Sequence, residues 1–135
     1  MSTCQYHLTV STNAARLLIA DDDPEMLAAY AVFFSNRGFD IRTATNGGDA
    51  LTEYCAWYPA AVLLDIEMPR LDGCEVARAI RLVRKTPVPV LVAVTGLMSQ
   101  SERDESMGAG LDHYFVKPVL MPLILAAINL GLAPG

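Results

Sequence analysis

Four places in the chain put a chemically able side chain at the end of a short run that reads as a strand. Asp21 and Asp22 follow Leu17-Leu18-Ile19-Ala20, Asp65 closes Ala60-Ala61-Val62-Leu63-Leu64, Thr95 closes Val90-Leu91-Val92-Ala93-Val94, and Lys117 follows the stretch from Leu111 to Val116. Runs this short and this apolar suit strands buried on both faces, the mark of a parallel sheet, and an open sheet of that kind gathers its strand ends along one edge. Gathered there, Asp21, Asp22 and Asp65 would crowd three carboxylates, and each ionised form is costly unless a cation intervenes. Mg2+ suits the position, because it takes hard oxygen ligands, keeps several waters and also engages phosphate oxygens. Lys117 adds a point charge for an anion held at the metal, and Thr95 adds a hydroxyl donor. A carboxylate, a divalent ion, a lysine and a hydroxyl are the parts needed for phosphoryl transfer onto a carboxylate, with Asp65 as acceptor. Positioning and charge neutralisation would do the work, with no side-chain base in view.

The elements between these ends alternate. Asp23 as N-cap with Pro24 in the first turn opens a helix whose buried stripe is Leu27, Tyr30, Ala31 and Phe34, and Gly38 is placed to end it. Phe39 to Ala44 alternates and predicts a strand near an edge; Asn46-Gly47-Gly48 reads as a turn before a helix carrying Ala50, Leu51, Tyr54 and Cys55 as far as about Trp57. Asp72 and Glu75 have capping-box spacing and start a helix with Val76, Ala79, Ile80 and Val83 on one face. Arg78, Arg81, Arg84 and Lys85 fall on its other sides and read as a solvated face. Ser99 and Glu102 form a second capping-box pair, opening a very polar helix from Gln100 to about Met107 that Gly108 and Gly110 close. The last segment, Met121 to about Leu130, is apolar nearly all round and calls for cover on more than one side, either by packing within the monomer or, the reading preferred, by a partner or a second copy. The order is β-α repeated about five times, an α/β fold with a parallel sheet and helices on both faces.

The bulk composition narrows the classes. The 135 residues make about one domain, and 53% hydrophobic content excludes a disordered chain. A net charge of −5 argues against a nucleic-acid surface. Cys4, Cys55 and Cys74 form no CxxC pair, and with His7 and His113 they offer no zinc spacing; a reduced, cytoplasmic protein is the expectation. Nothing resembles a signal peptide, and no apolar stretch reaches the roughly 18 residues of a membrane span. Residues 1–15 are expected to be a flexible arm, and residues 16–135 the folded domain.

Four blocks together carry a resemblance. Leu17-Leu18-Ile19-Ala20-Asp21-Asp22-Asp23-Pro24, Leu63-Leu64-Asp65-Ile66-Glu67-Met68-Pro69 with Asp72-Gly73, Val94-Thr95, and Phe115-Val116-Lys117-Pro118 resemble, in order and in spacing, the signature blocks of bacterial two-component response-regulator receiver domains. The resemblance covers about Arg16 to Leu130. It implies a flavodoxin-like fold with doubly wound strand order 2-1-3-4-5. It implies that Asp65 takes a phosphoryl group from a sensor histidine kinase or a phosphotransfer protein. Asp22 would bind Mg2+ directly, Asp21 mostly through water, and the backbone carbonyl of Glu67 would complete the protein ligands. Lys117 would hold the phosphoryl group, with Pro118 following in a cis peptide. Thr95, with Gly96 beside it, would move toward the phosphoryl oxygens, and Tyr114 would turn into the vacated space. That change biases the face made by the polar helix, the Leu111–Val116 strand and the last helix, where an output partner or a second copy would bind. Such a domain is not an enzyme on a separate substrate; it promotes only its own phosphorylation and dephosphorylation.

The departures are local. Gly96 stands where the family often has Ala, Glu67 sits two residues past Asp65 where its side chain can lean over the site, and Glu67 and Leu97 are expected to set how readily water reaches a phosphoryl group. Leu120 stands where the family often places a capping Asp and is a poor N-cap. Two other readings are a degenerate receiver that only binds, disfavoured because Asp21, Asp22, Asp65, Thr95 and Lys117 are all present, and an aspartyl-phosphate hydrolase of the haloacid-dehalogenase kind. The latter wants a DxD element after the first strand with the nucleophile leading it, whereas here the expected acceptor is on the third strand and the leading acids are adjacent.

Overall fold

The computed structural model of the chain describes residues 14–83, 86–96 and 100–133. The arm expected over 1–15 falls almost wholly outside them, as do Leu97 and the Ser99 cap. Among the described residues five strands and five helices alternate: β1 (Arg16–Ala20), α1 (Pro24–Ser35), β2 (Asp40–Ala44), α2 (Gly47–Trp57), β3 (Ala61–Asp65), α3 (Gly73–Val83), β4 (Val90–Thr95), α4 (Gln100–Gly108), β5 (His113–Val116) and α5 (Met121–Leu132). The strands form one sheet in the order β2-β1-β3-β4-β5, every neighbour pair parallel. This is the expected doubly wound order.

The two-residue period of the strands divides the core into two layers. Leu18, Ala20, Val62, Leu64, Leu91 and Ala93 face one way and pack on Ala50 and Tyr54 of α2 and on Val76, Ala77 and Ile80 of α3. Leu17, Ile19, Leu63, Val92 and Val94 face the other way, onto Leu27, Tyr30 and Phe34 of α1 and Ile124 and Ile128 of α5. All of β3 and β4 is buried, while β2 and β5 keep only part of their side chains covered, as edge strands do.

Three local expectations change. Asn46-Gly47-Gly48 is not a free turn: Asn46 is the N-cap of α2, its side-chain oxygen accepting from the Asp49 N–H at 2.8 Å, and both glycines are helical. Gly47 is fixed from outside its helix, because a Cβ there would stand 1.8 Å from the Leu71 carbonyl oxygen. In α3 the buried stripe is Cys74, Val76, Ala77 and Ile80, because this helix shares its core layer with Ala50 and Tyr54 of α2, while Val83 is exposed. Arg81 is not part of a solvated face. Its Nε donates to the Gly110 carbonyl at 2.8 Å, Nη1 to the Pro89 carbonyl at 2.9 Å and Nη2 to the Asp112 carboxylate at 3.0 Å, tying α3 to the segments that enter β4 and β5. The caps at Asp23 and at Asp72–Glu75 form as their spacing predicts, and Leu120 makes no side-chain cap bond to α5.

Candidate functional site

Each polar strand end falls on the same edge of the sheet because the strands are parallel and in register. Asp65 is the last residue of β3 and pairs with Val94, so Thr95 ends β4 one step beyond it. Asp21 leaves β1 with its N–H on the Ala44 carbonyl at 3.1 Å, and its carboxylate accepts from the Asp23 N–H at 2.9 Å, which turns the chain into α1. Lys117 leaves β5 with its N–H on the Thr95 carbonyl at 2.7 Å, and the Lys117–Pro118 peptide bond is cis.

The side chains converge. Carboxylate oxygens of Asp21, Asp22 and Asp65 all lie within 4.8 Å of one another, with Asp21 and Asp65 buried and Asp22 exposed at the mouth. Lys117 Nζ stands 3.7 Å from Asp65 Oδ1, and the Glu67 N–H donates to the same oxygen at 3.2 Å. Burial, then the neighbouring Asp21 charge, pushes the Asp65 carboxyl up from its ordinary 3.8 to about 6, against the opposing pull of Lys117 and the Glu67 N–H. It is still ionised at neutral pH, so it can act as a nucleophile. Tyr30, buried in α1 beneath the acids, feels the same field: burial first and then Asp21 and Asp65 push its hydroxyl up to about 12. Its helical spacing marked it only as a core residue.

The loop after Asp65 is held from two sides. Gly73 opens α3 so close to the strand that a Cβ would lie 2.8 Å from the Asp65 carbonyl oxygen. On the other side the Pro69 carbonyl accepts from the Gly47 N–H at 3.4 Å, so the start of α2 braces the loop. Glu67 then reaches across the pocket mouth, where its Oε1 accepts from the Gly96 N–H at 3.0 Å. That bond joins residues 29 apart and has no signal in local pattern. Tyr114 is half-buried on β5, opposite Ala93, packed against the α2–α3 layer.

A model of the response regulator receiver domain matches residues 17–129. The chain belongs to that family. PrrA, a transcriptional regulatory protein of Mycobacterium leprae, is 34% identical over 122 residues, which cover 90% of this chain and 52% of PrrA. The response regulator MprA of Mycolicibacterium vanbaalenii is 38% identical over 114 residues, 84% of this chain and 48% of MprA. The chain thus spans about half the length of the curated relatives it matches. Among solved structures, a CheY-like receiver domain from Methanospirillum hungatei superposes with a TM-score of 0.83 at 28% identity, covering 89% of this chain and 94% of its own. The BeF3-activated DrrB receiver domain gives 0.79 at 25% identity, covering 88% and 97%. The receiver domain is therefore a two-component signalling module. Receiver domains bind Mg2+ at an acidic cluster, and the Asp21–Asp22–Asp65 group is a cluster of that kind. Its donor set is all oxygen and, among the described residues, the cation beside it is Lys117, an arrangement that fits a hard divalent cation.

Proposed function

We propose that this receiver domain is a phosphoacceptor: Asp65 takes a phosphoryl group from a phosphohistidine on a sensor histidine kinase or a phosphotransfer protein. The observation that carries the reading is the buried Asp65 carboxylate with Asp21 and Asp22 oxygens within 4.8 Å on one side and Lys117 Nζ at 3.7 Å on the other. An ionised Asp65 oxygen attacks phosphorus, the P–N bond to the imidazole breaks, and its electron pair stays on the imidazole nitrogen, which then takes a proton. Asp21 and Asp22, with Asp65 and the Glu67 carbonyl, would hold Mg2+, which supplies charge neutralisation for the transferring oxygens. Lys117 holds the phosphoryl group as a point charge, and Thr95 and the Gly96 N–H donate to its remaining oxygens. The chain acts on no separate substrate; its chemistry is its own phosphorylation and dephosphorylation, with Glu67 and Leu97 setting water access and hence lifetime.

The switch we propose uses the same residues. Drawing Thr95 toward the phosphoryl group opens space beside β4, and Tyr114, adjacent on β5, turns into it. The α4–β5–α5 face then changes shape, and its exposed Leu120, Leu123 and Leu130 offer apolar contact to an output partner or a second copy.

Incubation with acetyl phosphate and Mg2+, followed by intact mass, tests the reading. A single phosphoryl addition that is absent in Asp65→Asn is the expected result. No addition in the unaltered chain would leave a binding module, and turnover of a phosphate ester would make it a hydrolase. A lifetime unchanged in Glu67→Asn removes the role given to that side chain.

A further inference from the structure

We infer that the Glu67 carboxylate is a built-in occupant of the anion position at the pocket mouth, a latch that holds the Gly96 N–H until an incoming phosphoryl oxygen displaces it. The inference rests on Asp65 being the acceptor, and it adds a competitor within the chain for the same site. Glu67 spans the pocket by itself. Its backbone N–H donates to Asp65 Oδ1 at 3.2 Å, while its side-chain Oε1 accepts from the Gly96 N–H at 3.0 Å. Those two N–H groups belong to the loops that follow β3 and β4, so one residue ties both walls of the site together.

The placement of the side chain rests on this bond. Glu67 is exposed, so packing does not hold its side chain over the mouth. A carboxylate that stays there must gain a charge-assisted hydrogen bond, and the Gly96 N–H is the donor that supplies it. A donor that holds one anion oxygen is a donor suited to another, the phosphoryl oxygen on Asp65. Gly96 also gives the latch its room: a Cβ there would stand 3.1 Å from the same Glu67 Oε1. Phosphorylation then exchanges one anion for another. Gly96 N–H turns to the phosphoryl group, the Glu67 side chain swings to solvent, and the Thr95–Gly96 segment is released to move. The resting state is held by the bond that activation breaks, so the latch raises the threshold for the switch.

The test has one arm that needs no phosphoryl chemistry and one that does. In the free protein, amide exchange and the proton shift of Gly96 are followed by NMR in the unaltered chain, Glu67→Gln and Glu67→Ala. Faster exchange at Gly96 in Glu67→Ala is expected, with Glu67→Gln between, since its amide oxygen accepts more weakly. The second arm titrates beryllium trifluoride with Mg2+ into the same proteins and into Gly96→Ala. Glu67→Ala should bind it about tenfold more tightly, the lower end of the range for one freed charge-assisted bond. Gly96→Ala, which crowds the carboxylate, should move the same way by less. An unchanged Gly96 amide in Glu67→Ala overturns the latch. So does equal tightening in Glu67→Gln and Glu67→Ala with Gly96 unmoved, which would be charge repulsion alone. Binding that persists in Asp65→Asn would instead overturn the acceptor, whatever the Gly96 amide reports.

Discussion

The two edges of the sheet treat charge in opposite ways. At the edge where the strands begin, Arg81 has every arm of its guanidinium matched, to Gly110, Pro89 and Asp112, and Asp112 also accepts from the Leu91 N–H at 2.8 Å. Gly110, at a positive φ of 104°, makes room for it, since a Cβ would lie 2.6 Å from Arg81 Cγ. At the edge where the strands end, three carboxylates share a pocket with one lysine at 3.7 Å. The first edge is complementary and closes the fold. The second is left uncompensated, and that surplus of negative charge is what makes it a place for a cation and a phosphoryl group. Stability and function are separated along the strand axis by a few residues of β-sheet.

The largest expected effect comes from relieving the crowded edge. Folding raises the Asp65 pKa from 3.8 to about 6, so between those values the folded state binds a proton that the unfolded state has released. Stability from this group is therefore present below about pH 4, falls as pH rises through that window, and is fully lost above about pH 6. Asp65→Asn, which cannot ionise, should be more stable than the unaltered chain at neutral pH without divalent cations by up to about 3 kcal/mol. The gap should close toward pH 4. Urea unfolding of both proteins across that range measures it. A gap that ignores pH, or a less stable variant at neutral pH, would mean that the functional edge is as well compensated as the other. Mg2+ should stabilise the unaltered chain more than Asp65→Asn, because the variant has lost a ligand charge.

The complementary edge should respond with the opposite sign. Arg81→Ala removes three bonds and leaves the Asp112 carboxylate and two carbonyls to find water. Destabilisation of about 2 kcal/mol is expected in urea unfolding, in the range for charge-assisted bonds of a partly covered group. Phosphoryl acceptance should survive, because the clamp lies at the far end of the strands. Loss of acceptance at unchanged stability would break the separation between the edges.

The contrast also explains what could be read before the fold was known. Strand positions and the convergence of Asp21, Asp22, Asp65 and Lys117 follow from short apolar runs with polar ends, because a parallel sheet converts sequence position directly into place along an edge, whereas the strand order was implied only by the family resemblance. The capping box of α3 was legible because its partners lie three residues apart. Arg81 was not: charge on a helix side signals solvent unless its partners are known, and these lie 8, 29 and 31 residues away. Gly47 looked like half of a turn because the carbonyl that forbids a side chain there belongs to Leu71, in another loop. Glu67 was placed at the pocket by its distance from Asp65, yet its bond to Gly96 depends on β3 and β4 being neighbours. Local rules found what local spacing encodes, and long-range complementarity had to be seen.

The smallest expected effect tests whether the functional edge leaves other stability unclaimed. Leu120 is the N-cap of α5, is 71% exposed and makes no cap bond. Pro122 in the first turn removes one of the N–H groups a cap would serve, so the Leu123 N–H, already on the Leu120 carbonyl at 3.0 Å, is the donor a side chain there could share. Leu120→Ser therefore should gain about 0.5–1 kcal/mol, toward the lower end of what a cap contributes. Serine is chosen over aspartate to keep a further negative charge from the acidic edge. If thermal or urea unfolding shows a loss instead, Leu120 is covered by apolar contact in solution. The exposed leucines of α5 would then already be engaged by a second copy in the unphosphorylated state, and dilution should restore the expected gain.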